Sequence, residues 1–242
     1  MVLKNYYTAL SEEILATAKS DGDSSALRRQ LFYILPSKLE NSLDCDDLRK
    51  TFWINIYHAF YLIISKETLD NTFIYEAKRI KIARSILSLN DIEHGILRKL
   101  KYKMGFGYLT NPFYSDFIKA CAVQELDYRI HFALGSIYLE KTTVDYYDST
   151  IIETQLIQTT NNFIQSETKF DSKLKLIRTS RFLFSYFRDF GGMRSVKQLL
   201  QTSLKKDIKG YRLQFKSTKK KDKSKVIAFP LATKSDFKKI QY

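Results

Sequence analysis

Between Asp46 and Ser65 the chain carries large apolar side chains on nearly every side of a helical period. Two aspartates stand in the first turn of this stretch, where carboxylates favour the positive end of a helix dipole. Because a helix that is apolar all round is buried, we expect it to run through the middle of a domain. Its most apolar window, Phe52–Ile64, is too short to cross a bilayer and contains Asn55 and His58.

The rest of the pattern predicts an α+β fold, a single mostly helical domain with a small antiparallel sheet. Only 8 Gly and 3 Pro argue against a turn-rich β-sandwich. Further helices are predicted over residues 8–15 with Ser11 as N-cap, and over 25–34, 88–99, 151–166 and 180–190. Strands are predicted over 79–86, 127–134 and 173–178, with two more flanking a Lys-rich loop.

Charge is distributed unevenly along the chain. The segment 166–242 holds 21 basic and 6 acidic residues, whereas the first 165 residues hold 19 basic and 20 acidic residues. We expect a helical lead-in at 1–44, a core at 45–200 and a basic hairpin at 201–242 with the Lys-rich loop Lys216–Lys225. An anionic partner would explain the excess of positive charge. A solvated loop is the simpler interpretation of the Lys-rich run, because the run contains no aromatic residues on which bases could stack. Nucleic acid remains open as an alternative partner.

Cysteine usage and the N-terminus bear on localisation. Cys45 and Cys121 are too few for a disulfide-rich secreted scaffold. Residues 1–10 hold a single Lys and no sustained apolar run, so they do not resemble a signal peptide. We therefore expect a cytoplasmic protein with free thiols and no membrane span.

The three histidines, His58, His94 and His131, are the first candidates for chemistry. Asn55 lies one helical turn before His58, so the two residues face the same side. Glu93 precedes His94, and an angle of about 100° between successive helical positions argues against both lining one narrow pocket. His131 falls within a predicted strand. No metal-ligand spacing or glycine-rich phosphate loop is present, so no metal or cofactor is predicted.

Four segments occur in a recognisable order: Phe-Trp-Ile-Asn-Ile-Tyr at 52–57, Ser-Leu-Asn-Asp-Ile-Glu-His-Gly-Ile-Leu-Arg at 88–98, Asp-Tyr-Arg-Ile-His-Phe-Ala-Leu at 127–134, and Phe-Arg-Asp-Phe-Gly-Gly at 187–192. With these segments the chain resembles the family catalogued as domain of unknown function 547, over roughly residues 45–200. The resemblance implies a papain-like or transglutaminase-like fold, since members have been compared with thiol hydrolases of those kinds.

The same resemblance implies a missing nucleophile. Where the family usually carries an asparagine-cysteine-glycine turn, this chain reads Gly135-Ser136-Ile137, and His58 stands where the family commonly has asparagine. A thiol beside an imidazole ionises readily, whereas a serine hydroxyl needs a well-placed base and an oxyanion hole. If the family acts through that cysteine, this member has lost the route.

Three functions are therefore considered, and the first is favoured. The chain is a non-catalytic member that binds a small molecule or a protein in a polar pocket, a hydrolase or transferase that uses Ser136, or a binder of nucleic acid or another anionic surface through its basic C-terminal third. The catalytic candidates are Ser136, His131, His94 and Glu93. The binding candidates are Asn55, His58, Arg98 and Arg129. Each arginine could instead pair with an acid such as Asp127 or Glu93.

Overall fold

The computed structural model describes residues 4–67, 73–103, 107–138 and 144–216. They belong to two compact units. Of the described residues, those up to Lys101 together with those in Thr110–Thr159 form the first unit, and those in Tyr102–Leu109 together with 160–216 form the second. Helices dominate the described residues, and the sheets are small, with two and three strands. The predicted α+β class is confirmed.

The first unit is built around the predicted central helix. Its first four helices are α1 Tyr6–Lys19, α2 Ser25–Tyr33, α3 Pro36–Ser42 and α4 Asp46–Glu67. Helix α4 is buried along most of its length, as its apolar sequence predicts, and α1 packs against it. The predicted N-cap was wrong, because α1 begins five residues before Ser11. The Asn5 side chain accepts hydrogen bonds from two amides of the first turn, while the Ser11 hydroxyl donates to Thr8 inside the helix.

The strand predicted over residues 79–86 is two strands. Strands β1 Ile80–Ile82 and β2 Ser85–Leu87 pair antiparallel. Between them Ala83 and Arg84 have φ of 46° and 60°, so two consecutive left-handed residues form the turn. Such turns usually contain Gly or Asn, and this one is therefore not visible in the sequence.

The helix predicted over residues 88–99 is a π-helix at Asp91–Leu97, and the region 127–134, predicted as a strand, is largely helical. Helix α5 spans Asp116–Cys121 and α6 spans Ile130–Tyr138. The strand prediction was wrong because α6 is apolar and buried on consecutive positions, so alternate residues gave only part of the pattern. Helix α7 follows at Ile152–Glu167, close to its predicted bounds.

The second unit contains a mixed three-stranded sheet. Strands β3 Lys169–Asp171 and β4 Leu176–Ser180 are antiparallel, whereas β4 and β5 Arg212–Lys216 are parallel, which corrects the expectation of an antiparallel sheet. The helix predicted over 180–190 is shorter, α8 Phe182–Ser185, and the sequence patterns missed α9 Met193–Leu204. The predicted Lys-rich loop beyond Lys216 and its second flanking strand lie outside the described residues. No helix among the described residues is long and apolar enough to cross a membrane.

Candidate functional site

Seven of the eight candidate residues are almost completely buried in the first unit. Each is at most 5% exposed: Asn55, His58, Glu93, His94, Arg98, His131 and Ser136. The eighth, Arg129, has a side chain that is 18% exposed. Since buried polar groups are nearly always hydrogen-bonded, the partners of these side chains decide what chemistry each can perform.

The π-helix Asp91–Leu97 positions two of the candidates. Its hydrogen bonds span five residues instead of four, because the amide of Arg98 donates to the carbonyl of Glu93 at 2.9 Å and that of Leu100 to Gly95 at 2.8 Å. Segments of π-helix are rare and occur frequently at functional sites. The segment that resembles a family signature therefore has an unusual backbone as well as unusual side chains.

This backbone brings Glu93 and His94 together. Both are buried, and Glu93 Oε1 lies 3.7 Å from His94 Nδ1. The expectation that the two residues cannot line one narrow space was wrong. It assumed α-helical geometry, and a turn that contains an additional residue reduces the angle between successive side chains.

Arg98 fixes the protonation of the His94 ring. Its Nη1 lies 2.9 Å from His94 Nδ1. A guanidinium can only donate, so Nδ1 is the acceptor and the ring is neutral with its proton on Nε2. His94 and the Glu93 carboxylate therefore lie close together without forming an ion pair. Arg98 itself is 1% exposed, so its charge is held inside the unit.

Tyr57 completes this group, which we call the Glu93 cluster: Tyr57, Glu93, His94 and Arg98. The Tyr57 hydroxyl donates to Glu93 Oε2 at 3.4 Å. Tyr57 was not among the predicted site residues, although it is the last residue of the first segment that carries the family resemblance and directly precedes His58. An aromatic residue on an apolar helix gave no sign that its hydroxyl reaches a buried carboxylate.

His58 and Ser136 meet at one backbone oxygen. His58 Nε2 donates to the carbonyl of Ala133 at 3.0 Å, and the Ser136 hydroxyl donates to the same oxygen at 2.7 Å. Burial lowers the pKa of His58 to about 4, partly opposed by the bond to Ala133. His58 is therefore neutral at physiological pH and carries its proton on Nε2.

The structure does not place Ser136 against either histidine proposed as its base. His131 lies five residues earlier on α6, which separates the two side chains by about 140° around the helix. His94 bonds to Arg98 on the π-helix. In the described part of the chain, the Ser136 hydroxyl bonds to a peptide carbonyl and to no imidazole.

Asn55 holds a loop segment that is distant in the sequence. Its Nδ2 donates to the carbonyl of Tyr147 at 2.9 Å, and the amide of Tyr147 donates to its Oδ1 at 2.8 Å. Burial raises the pKa of the Tyr147 hydroxyl to about 12, and this hydroxyl bonds to Thr159. The Asn55 side chain thus satisfies the buried amide and carbonyl of Tyr147 and fixes the position of this residue. It is occupied by these bonds and is not available to a ligand.

Arg129 lies in a second group of charges. It contacts Asp127 through two hydrogen bonds, of 2.8 and 2.6 Å, and reaches Glu153 at 2.8 Å. Lys50 of α4 lies 3.4 Å from Asp127 and 3.1 Å from Glu153. Burial raises the pKa of Asp127, but the bonds and charge of Arg129 and the charge of Lys50 outweigh it and hold the pKa below its usual value. The structure therefore places Arg129 against Asp127, the acid considered as its partner.

The cysteines offer no substitute nucleophile within the polar groups. Both are free thiols, as predicted, with Cys45 exposed and Cys121 buried. Burial raises the pKa of Cys121 to about 12, which keeps it protonated. Among the described residues, no three His, Cys, Asp or Glu side chains form a group that could hold a metal ion.

Comparison with known proteins gives one match. The model of a family described as "Protein of unknown function, DUF547" matches residues 41–164, just over half of the chain. This region contains every candidate residue and three of the four segments that carry the resemblance, while the fourth, at 187–192, lies beyond it. No curated protein and no solved structure matches the chain.

Proposed function

The chain belongs to the DUF547 family of proteins of unknown function, and we propose that it is a non-catalytic member, which binds a small molecule or a protein without converting it. The observation that carries this proposal is the hydrogen bond from Ser136 to the carbonyl of Ala133. The family resemblance puts Ser136 at the position of the usual cysteine, so this hydroxyl would have to be the nucleophile.

The bonding of Ser136 opposes nucleophilic attack. A serine becomes a nucleophile when a base accepts its proton, and a peptide carbonyl is not such a base. The imidazole of His58 shares that carbonyl, but it acts as a donor there, and its low pKa makes it a weak proton acceptor. No step of acyl transfer therefore has a base positioned for it among these residues.

The Glu93 cluster supports binding as the retained function. Burying a guanidinium and a carboxylate costs several kcal/mol of solvation, and apolar residues of similar size would often serve stability equally well. Here the guanidinium of Arg98 and the carboxyl group of Glu93 are kept beside His94 inside the unit. An orienting group of donors and acceptors is what recognition of a polar ligand requires.

The test restores the sulfur atom and asks whether anything activates it. The Ser136→Cys variant would be made in a Cys45→Ser background, which removes the exposed thiol. The Cys45→Ser protein with and without Ser136→Cys would then be alkylated with iodoacetamide across roughly pH 6 to 9. We expect alkylation of the restored thiol to be no faster at neutral pH than that of an ordinary buried thiol. Rapid alkylation well below pH 8 would show that an activating imidazole survives, and would support a working hydrolase instead.

A second function has its own supporting observation, on the sheet of the second unit. Residues paired across this sheet share one face, so Lys169, Arg178 and Gln214 form a row, and Arg212 and Lys216 lie on the same side. Asp171 is the acid on this face, and it lies 3.6 Å from Arg178. Lys216 also lies 3.8 Å from the Glu167 carboxylate. Four cations against two carboxylates give a positive surface that fits an anionic polymer or membrane surface.

Filter binding of a single-stranded oligonucleotide at low and moderate salt tests this surface. If the oligonucleotide binds, its affinity should fall steeply as salt is added. The Lys169→Gln/Arg212→Gln variant should make the slope of log affinity against log salt concentration shallower by about two, because it removes two cations. The matched control is Lys38→Gln/Arg84→Gln, which removes two exposed cations of the first unit. Binding that ignores salt, or that falls equally in both double variants, would count against the surface.

A further inference from the structure

A cleft in the first unit lies between α2 and β1, with α4 at its base. Its volume is about 460 Å³, within the range of roughly 300–1,000 Å³ typical of small-molecule sites. Phe60 of α4 contributes to its lining, and this side chain is 1% exposed. Its lining includes neither Ser136 nor any residue of the Glu93 cluster.

The charge of the cleft is strongly positive. Four of its lining residues are cations: Arg28, Arg29, Arg79 and Lys81. Acids compensate part of this charge, because Glu67 lies 3.3 Å from Arg28 and the charge of Arg28 also acts on Asp23. Arg29 and Lys81 are exposed and, within the described ranges, form no ion pair with a carboxylate. A concave surface with this balance attracts an anion.

Aromatic side chains accompany these cations. The guanidinium of Arg28 lies 5.7 Å from the centroid of the Phe60 ring and is also held by Glu67, so two partners fix its position. Tyr33 lines the same cleft and is 65% exposed. Guanidinium planes and aromatic faces are the groups on which a flat ring stacks.

The walls of the cleft are fixed relative to each other. The amides of Ala83 and Arg84, in the turn between β1 and β2, donate to the carbonyls of Leu31 and Phe32 at 3.0 and 2.9 Å. These carbonyls belong to the last turn of α2, so the hairpin is hydrogen-bonded to the end of the helix. A cleft with such walls is preformed, which lowers the entropy cost of binding.

We propose that this cleft binds a soluble phosphate ester that carries a flat ring, of the size of a mononucleotide. The cations recognise the phosphate through charge-assisted hydrogen bonds, and Tyr33 with the fixed guanidinium of Arg28 provides the stacking surface. This proposal goes beyond the proposed function and does not rest on it, because a catalytic Ser136 would leave the cleft unchanged.

Isothermal titration of the full chain with AMP, ribose 5-phosphate and adenosine tests the two halves of the ligand separately. We expect AMP to bind most tightly, ribose 5-phosphate more weakly because it lacks the flat ring, and adenosine weakly because it lacks the phosphate. The Arg29→Gln/Lys81→Gln variant should weaken AMP binding roughly tenfold or more, since it removes two charge-assisted contacts. These residues are exposed, so the variant is expected to fold.

Two matched controls locate the binding. Lys38→Gln/Lys119→Gln removes two exposed cations that do not line the cleft and should leave the affinity for AMP unchanged. Tyr33→Ala should weaken AMP binding but leave ribose 5-phosphate binding unchanged, whereas Phe113→Ala, which removes a ring that is 85% exposed, should change neither. The proposal is overturned if AMP does not bind, if adenosine binds as tightly as AMP, or if both double variants lose affinity equally.

Discussion

Replacing Asn55 with alanine removes the side chain that bonds to both the amide and the carbonyl of Tyr147. Asn55 is 0% and Tyr147 1% exposed, so water does not readily replace either bond. A buried backbone group without a partner costs about 1–3 kcal/mol. With two such groups and some relaxation of the segment at 147, we expect a loss of about 3 kcal/mol in the free energy of unfolding.

Urea unfolding followed by far-UV circular dichroism measures this loss, and thermal unfolding should show a Tm lower by about 6–12 °C for a chain of this size. The matched control is Asn41→Ala on an exposed position of α3, which should change stability by less than about 0.5 kcal/mol. A loss at Asn55 no larger than that of the control would refute the argument that this side chain satisfies a buried backbone pair.

Three further variants test separate features of the first unit. The folded-state pKa of His58 is about 4 against a usual value of 6.5, so the neutral imidazole stabilises the fold fully above pH 6.5 and less as the pH falls towards 4. Between pH 7 and pH 5 the free energy of unfolding, measured with urea, should therefore fall by about 2 kcal/mol more in the wild type than in His58→Asn. The lowered pKa of Asp127 contributes stability that is complete above its usual value of 3.8 and is lost as the pH falls through the lowered value, so Asp127→Asn should be less sensitive to acid in the same assay. Gly95→Ala would put a Cβ 2.7 Å from Ile118 Cγ2 and should destabilise by about 1–3 kcal/mol through overpacking, measured by thermal unfolding.

For each of the three variants, one outcome would contradict the prediction. Equal pH dependence in the wild type and His58→Asn would show that the imidazole is not buried in its neutral form. An unchanged acid midpoint in Asp127→Asn would show that its charge pairs do not stabilise the fold. Gly22→Ala is the control for Gly95, since Gly22 is exposed and its new Cβ would lie 3.0 Å from Thr17 Cγ2, and equal effects of the two substitutions would exclude close packing as the cause.

The central helix was the most predictable part of the fold. Its apolar residues occur on every side, and its predicted start at Asp46 agrees with the structure. Helix α6 was mistaken for a strand because a short, mostly apolar segment is compatible with both periodicities, and residues 130–134 alternate well enough to fit either. Length could have separated them only if the helix had been recognised as extending to residue 138.

The candidate site was predictable in its residues but not in its contacts. Glu93, His94 and Arg98 were selected from one segment, yet their arrangement depends on a π-helix, for which the sequence has no periodic signal. Asn55 and Tyr147 are 92 positions apart, so their pairing is decided by tertiary packing alone. Lys50 was visible as a cation on an apolar helix, and this could have indicated that it has acidic partners, which are Asp127 and Glu153.

His58 and Ser136 both donate to the carbonyl of Ala133, and the non-catalytic assignment depends most on this arrangement. Long-range ¹⁵N–¹H correlation spectra of the ¹⁵N-histidine protein report the tautomer of His58 directly. We predict the neutral Nε2–H form from about pH 7 to about pH 5, with the same tautomer and titration in the Ser136→Ala variant. An Nδ1–H tautomer that changes its titration when the hydroxyl is removed would show that His58 accepts the serine proton, which would contradict the non-catalytic assignment.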